Sequence, residues 1–342
     1  MKLLVRTVFF NIFISLCLIV LFESIFGYWF KDNNFGIHVR KLRNIEKQFD
    51  NDHNGKKYRY TFKRNFHGFI GEEIKPEEID IVFEGGSTGE QIFTPPEFRI
   101  VDQLNFFFKK DQIDVNIINA SKGGKSTRGY YNDFKKWFPK IKNFNPKIFI
   151  FYTGINDSLL TLPKNFDETK RVKYFDQIED YIKNNSIFYE IKAKIRNKYF
   201  GKIRKNYDLY EKNLYNDFKY ISYQEAKLKF NLNDLNLEEI FLTNNFKKNL
   251  LNLDRKIIET KVIPIFITQV RFNGIGTKGL FLINEILKEF CKTKNYDIIK
   301  LDEIIKGFEK NDFYDQLHVG INGSKKISRI LYPHLKNILI NY

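Results

Sequence analysis

Apolar side chains run almost unbroken through the start of the chain, then return from residue 79 onward as short bursts separated by helical periodicities. The unbroken run is TVFFNIFISLCLIVLF, Thr7 to Phe22, and it continues through Glu23 to Tyr28-Trp29-Phe30 before Lys31. A bilayer helix needs about 20 apolar residues, and terminal aromatics suit a membrane–water boundary. No A-x-A-like small-residue site follows the run, and Cys17 in its middle is badly placed for lipid attachment. An uncleaved signal anchor over residues 1–30 is therefore expected, rather than a removed signal peptide. Lys2 and Arg6 precede the run, while Lys31, Arg40, Lys41 and Arg43 follow it, so the positive-inside rule is close to a draw.

The later bursts have strand length. Ile79–Phe83, Val115–Ile118, Lys147–Tyr152, Ile265–Thr268 and Asp297–Leu301 are five such segments, with Pro264 expected at the entrance to the fourth because proline cannot donate within a ladder. Phe246, Leu250, Leu253 and Ile257 recur at three and four residues and predict a helix between the third and fourth. Strands alternating with helices imply crossovers, hence an α/β fold with a parallel sheet covered on both faces. Ligands in such sheets gather beyond the carboxyl ends of the strands.

Two stretches break this rhythm. Residues 31–75 are polar and mixed, and read as a lead-in whose DNDHNGKK (Asp50 to Lys57) is a turn or linker; Tyr58–Phe62 alternates enough for a short strand. Residues from about 158 to 240, rich in Tyr, Phe and Lys, read as a helical insertion forming a lid or wall over the strand ends. The main domain is then expected over 76–342.

Composition changes this picture little. The 342 residues carry a net charge of +16, but lysine is spread everywhere alongside Asn, Ile and Phe, as a genome-wide bias would leave it. The basic run Lys192, Lys194, Arg196, Lys198, Lys202, Arg204, Lys205 reads either as the wet face of a helix or as a seat for anionic headgroups or an acidic glycan. No nucleic-acid motif accompanies the charge, so nucleic acid is not expected as a partner. Two cysteines, Cys17 and Cys291, exclude a disulfide framework and a Cys-rich zinc site.

The candidate chemistry sits where strands end. Gly85-Gly86-Ser87-Thr88-Gly89 follows the first strand and fits G-x-S-x-G. Alone, Ser87 reads as a turn serine or a helix N-cap sooner than as a nucleophile. Three further stretches change that balance: Asn119-Ala120-Ser121-Lys122-Gly123-Gly124 after the second strand, Gly154-Ile155-Asn156-Asp157 after the third, and Asp315-Gln316-Leu317-His318 near the C-terminus. Serine hydrolysis needs a hydroxyl, a base in reach, a carboxylate that fixes the base's tautomer, and donors for the oxyanion. Asp315 and His318 stand three apart, so one helical turn would project both to the same side. An α/β-hydrolase would place its elbow after several strands and separate acid from histidine. Here the serine follows the first strand of the domain, and acid and base share a tetrapeptide.

In that order, Gly-Gly-Ser87, Gly124, Gly154-x-Asn156-Asp157 and Asp315-x-x-His318 resemble the four blocks of the SGNH (GDSL-type) hydrolase family, from residue 79 to the C-terminus. The lead-in Gly68-Phe69-x-Gly71 resembles membrane-anchored bacterial members. The resemblance implies a flavodoxin-like, five-stranded parallel sheet between helices. It implies Ser87 as nucleophile, His318 as base and Asp315 as its orienter, with an oxyanion hole from the N–H groups of Ser87 and Gly124 and the Asn156 amide. It implies no metal or organic cofactor, an acylated small molecule or glycan as substrate, and a periplasmic catalytic domain on the bacterial inner membrane. One departure stands out: the family's Gly-Asp-Ser is Gly-Gly86-Ser here. The function expected is a membrane-tethered serine esterase. The alternatives are an O-acyltransferase acting on an envelope polysaccharide, and an inactive glycan-binding or scaffolding protein on the same fold. Gln269 and Arg271, past the fourth strand, are candidates for touching substrate or for simply ending that strand. His38, His53, His67 and His334 are read as structural or solvated. Oligomeric state and acyl specificity stay open.

Overall fold

The computed structural model describes residues 2–30, 42–159, 174–200, 203–206, 209–210, 219–309 and 311–340. Helix α1 (Lys2–Phe26) opens the chain, and none of its apolar stretch Val5–Phe26 is buried. Strands β1 (Ile45–His53) and β2 (Lys56–Arg64) follow, then β3 (Ile81–Gly85), α2 (Ser87–Glu90), α3 (Ile100–Lys110), β4 (Ile117–Asn119) and α4 (Thr127–Lys136). Next come β5 (Ile148–Tyr152), α5 (Ile155–Ser158), α6 (Tyr174–Asn185), α7 (Ile187–Phe200), β6 (Arg204–Asn206), α8 (Tyr223–Lys229) and α9 (Leu237–Thr260). The chain closes with β7 (Ile263–Ile267), α10 (Lys278–Lys294), β8 (Asp297–Ile299), α11 (Leu301–Ile304) and α12 (Ile321–Ile340).

The five expected strand segments pair as one parallel sheet in the order β4-β3-β5-β7-β8. This is the flavodoxin-like order, in which chain direction across the sheet reverses between the first and third strands. Successive side chains point to opposite faces, and each face has its own core. Val82, Phe149, Phe151 and Phe266 meet Phe134 and Trp137 near α4, Leu250 and Leu253 of α9, and Ile283 of α10. Ile81, Phe83, Ile150 and Ile265 meet Leu104 and Phe108 of α3 and Ile327 and Leu331 of α12. The result is a three-layer α/β sandwich. The helix face read at Phe246, Leu250, Leu253 and Ile257 is buried along its length, and Asn236 and Glu239 close a capping box at its start.

Pro264 lies one residue inside β7 rather than at its entrance. The ladder tolerates it because Ile263 donates towards β5, to Lys147 O at 2.8 Å, so alternation turns position 264 to the other side. On that side β8 begins to pair only at Ile265↔Asp297.

The lead-in departs further from expectation. Asp50–Lys57 is no linker: β1 and β2 form a nine-residue antiparallel hairpin whose two-residue turn is Asn54-Gly55, at φ 58° and 83°. Both central residues at positive φ is the I′ geometry that matches strand twist, and Asn-Gly is its preferred sequence. The short strand β6, inside what reads as an all-helical insertion, adds to β1 in parallel from Phe49↔Arg204 to Asn51↔Asn206. Ile70 bridges the hairpin's Arg64 to Asn119 of β4, which ties this small sheet to the edge of the large one. Within the insertion, 160–173 and 211–218 lie outside the described residues, as do Lys31, His38, Arg40 and Lys41 of the lead-in.

Candidate active site

Ser87 sits one residue past Gly86 at the carboxyl end of β3, and Asn156 stands at the end of neighbouring β5. The site therefore straddles the point where strand order reverses, which is where an open α/β sheet leaves a crevice. His318 Nε2 lies 2.7 Å from Ser87 Oγ. The other ring nitrogen, Nδ1, lies 2.7 and 2.9 Å from the two Asp315 carboxylate oxygens. A carboxylate accepts only, so Nδ1 carries the proton, and Nε2 is left to accept from the serine hydroxyl. Hydroxyl, imidazole and carboxylate from opposite ends of the sequence thus form one connected relay.

The segment that carries Asp315 and His318 is not a helical turn. Residues 313–319 form a closed loop pinched by an antiparallel bridge between Phe313 and Val319, with Tyr314 N–H donating to His318 O at 3.1 Å. Inside it Asp315 Oδ1 accepts from Leu317 N–H at 2.8 Å and His318 N–H at 2.7 Å, the local bonding that Asp uses to build turns. The i, i+3 spacing therefore converges through the aspartate's own bonds to backbone. Burial alone would raise the Asp315 pKa, but the His318 side chain and the two amides outweigh it and hold the carboxyl below its usual range. Tyr314 stacks on the imidazole with ring centroids 5.6 Å apart and planes 7° apart, fixing its tilt.

Two further loops border Ser87. Ser87 opens α2, so its N–H is a first-turn amide without an intrahelical acceptor. Gly124, at φ 77°, lies in the loop after β4; a Cβ built on its neighbour Gly123 would stand 3.9 Å from Ser87 Cβ, so that loop borders Ser87. Asn156 Nδ2 donates to Lys125 O at 2.8 Å, which aims the amide across the same space. Here Gly86 acquires a reason. A Cβ at position 86 would fall 2.0 Å from Asn156 Nδ2 and 3.2 Å from Lys125 O. In this protein an aspartate at 86 would displace the Asn156 amide; glycine lets it lie against the backbone beside Ser87.

Two supporting networks could not be paired up from the sequence. Glu84 is fully buried, and its carboxylate meets Lys125 Nζ at 2.7 Å. Lys125 also meets Asp133 at 2.5 Å and donates to Ala120 O at 2.7 Å, so a sealed charged cluster underlies the loop whose carbonyl holds Asn156. Arg64, from the hairpin, donates to Ser121 O at 2.6 Å and pairs with Glu90 at 2.8 Å, and Glu90 accepts from Gly123 N–H at 2.7 Å. The lead-in thus braces the Gly124 loop. An acid inside an otherwise apolar strand was the one visible sign; the lysine that answers it is 41 residues away.

The structure corrects the position of Gln269. It is buried and does not face the cleft, because its amide is consumed inside. Oε1 accepts from Ile155 N–H at 2.7 Å, and Nε2 donates to Thr88 Oγ1 at 2.8 Å. It clamps the turn bearing Ser87 to the turn bearing Asn156. Arg271 does lie beside the site, donating to Gln316 Oε1 at 3.0 Å on the loop that carries Asp315 and His318. Asp157 turns away from the cleft and accepts from Thr127 N–H at the start of α4. Among the described residues no cluster of His, Cys, Asp and Glu is arranged to hold a metal ion.

No family model matches the chain, and no curated protein matches it significantly. Solved structures similar to it include a Clostridium thermocellum family 3 carbohydrate esterase, at 14% identity and TM-score 0.45, covering 77% of this chain and 98% of that one. TesA is similar at 10% identity and TM-score 0.44, covering 75% and 98%. So is the psychrotrophic esterase EstA from Pseudoalteromonas sp., at 12% identity and TM-score 0.41, covering 76% and 98%.

Proposed function

We propose that this chain is a membrane-tethered serine ester hydrolase that cleaves small acyl groups, with O-acetyl groups of an envelope glycan as the substrate class. The observation that carries the reading is the relay from Asp315 through His318 to Ser87, with both bonds to the imidazole at 2.7 Å. Ser87 Oγ attacks the ester carbonyl while His318 Nε2 takes its proton, and the Asp315 carboxylate steadies the imidazolium that forms. The negative charge on the carbonyl oxygen is met by the N–H groups of Ser87 and Gly124 and the amide of Asn156. His318 then returns the proton to the leaving alcohol, and water, activated by the same imidazole, releases the acid.

In this reading residues 1–30 are a signal anchor, the lead-in to about residue 75 braces the site through Arg64, and 76–342 carry the chemistry, with 158–240 as the insertion. At about 1.5 Å per residue, the 22 residues Val5–Phe26 are long enough to cross a hydrocarbon core of about 30 Å. The catalytic domain is read on the periplasmic side of a bacterial inner membrane.

A fluorophosphonate probe tests the nucleophile. Labelling of the wild type and its loss in Ser87→Ala is the expected pattern, together with release of acid from p-nitrophenyl acetate. A chain that binds acylated glycan but neither labels nor turns over belongs to the inactive binding class instead.

A further inference from the structure

Helices α6 and α7 carry an apolar surface that is largely exposed, touched by α1 and the residues after it only at one end. On α6, Phe175, Ile178 and Ile182 follow one another at three and four residues, with Tyr181 beside them, and all four are exposed. On α7, Phe188, Ile191 and Ile195 repeat the same spacing and are likewise exposed. Such spacing makes one stripe per helix. Lys192 and Arg196 fall next to the α7 stripe, and both are exposed. Glu190 and Lys194 pair with each other away from it. An exposed apolar stripe of this extent calls for something to cover it.

The end of α1 indicates what covers it. The two helices are separated only at Ser186, and Glu23 of α1 inserts its carboxylate there. It accepts from Ser186 Oγ at 2.5 Å, Ile187 N–H at 3.1 Å and Phe188 N–H at 3.3 Å, capping α7 with a residue from a distant helix. Phe22 packs on Phe188 at 5.1 Å, and Tyr28 N–H donates to Asn185 O at 2.8 Å. Trp29, which donates to Glu23, meets Tyr181 edge-on at 5.9 Å. The junction therefore fixes α6 and α7 to the last turn of the apolar helix and the aromatic residues just after it. Where α1 crosses a bilayer, that level is the membrane–water boundary.

We infer that α6 and α7 lie in the membrane interface, their apolar stripes in the lipid and Lys192 and Arg196 among anionic headgroups. The inference rests on reading α1 as a membrane span. It gives the tether a geometry: two in-plane helices and one crossing helix hold the catalytic domain at a set attitude, where a flexible stalk would leave it free to tumble. Basic side chains flanking an apolar stripe suit this place, since they reach headgroups while their stems stay in the apolar layer.

The test uses the full chain, reconstituted in vesicles of phosphatidylcholine and phosphatidylglycerol, with an NBD fluorophore on one cysteine at a time. Cys291 is buried, and Cys17 is exposed on α1 and serves as the anchor's own reporter. In a Cys17→Ser background, Ile178→Cys and Ile191→Cys report on the two stripes, and Leu228→Cys on α8, 90% exposed, reports on the rest of the domain. Replacing the phosphatidylcholine with its dibrominated form is expected to quench most emission at 17, 178 and 191 and to spare 228. Quenching at 17 without quenching at 178 and 191 overturns the interfacial placement and leaves the anchor standing. No quenching at 17 overturns the anchor and the placement with it. Equal quenching at 228 and 191 also overturns the placement, because the stripes would then have no special contact with lipid.

Discussion

Two acid–base clusters lie within a few residues of each other, and they differ in one respect that sets their roles. In the Ser87–His318–Asp315 relay, the side chains of His318 and Asp315 keep 23% and 38% of their surface exposed, and the imidazole bonds the Ser87 hydroxyl through one nitrogen and the Asp315 carboxylate through the other. In the Glu84–Lys125–Asp133 cluster the side chains are 0%, 0% and 1% exposed, and the ammonium is surrounded by two carboxylates, the Ala120 carbonyl and the face of Trp137. Open to the crevice, a charge pair can change its protonation state during a reaction. Sealed from water, a pair is too costly to break and serves instead to hold backbone in place. The sealed cluster sits under the loop that supplies Gly124 and the carbonyl that aims Asn156. One cluster is thus open to proton exchange, and the other holds the Gly124 loop and the Asn156 amide in place.

The comparison is broken most severely at the relay. His318→Ala is expected to lower kcat by roughly 10⁴- to 10⁶-fold, and Asp315→Asn by roughly 10⁴-fold, in ester turnover assays, with the thermal midpoint little changed. Lys125→Met should act chiefly on stability. It leaves Glu84 and Asp133 buried without their cation and should cost about 3–5 kcal/mol in urea unfolding. Replacing all three with apolar residues of similar volume should recover most of that loss, while activity falls because the loop is no longer pinned. Asn156→Ala lies between the two clusters. A loss of roughly 10²- to 10³-fold in kcat is expected, with KM and stability close to wild type. Gly86→Ala should resemble it, since the added carbon falls on the Asn156 amide.

The smallest expected effect concerns buried groups that carry no charge. Burial lowers the pKa of His53, against weaker upward pushes from its bond to Phe93 O and from Asp52; burial and then Arg43 lower that of His67. Both imidazoles are thus harder to protonate folded than unfolded, so the unfolded chain takes up more protons as pH falls below about 6.5. The stability they contribute is complete above that value and declines as pH drops towards their folded values. A thermal midpoint that falls between pH 7 and 5, with a shallower slope in His53→Gln, is the expected result.

What the sequence determined follows from short-range physics. Five apolar bursts of strand length, separated by helical periodicity, required a parallel sheet covered on both faces, and all five occur in it. Ser87, Asn156 and the Asp315–His318 pair were legible because each stands at the end of such a burst or in its own short block. Two local signals were overridden by their surroundings. Asp50–Lys57 has turn composition, yet only Asn54-Gly55 turns, because the flanking residues gain a nine-residue ladder by pairing. Asp315 and His318 converge without a helix, because the aspartate's bonds to backbone build the turn themselves. Tertiary structure alone decided the rest: that Lys125 answers Glu84, that Arg64 reaches across to the Gly124 loop, that Gln269 is consumed inside, and that Gly86 makes room for an amide 70 residues away. Each is a contact between groups far apart in the chain. A residue's type states that it needs a partner, but only packing chooses which one.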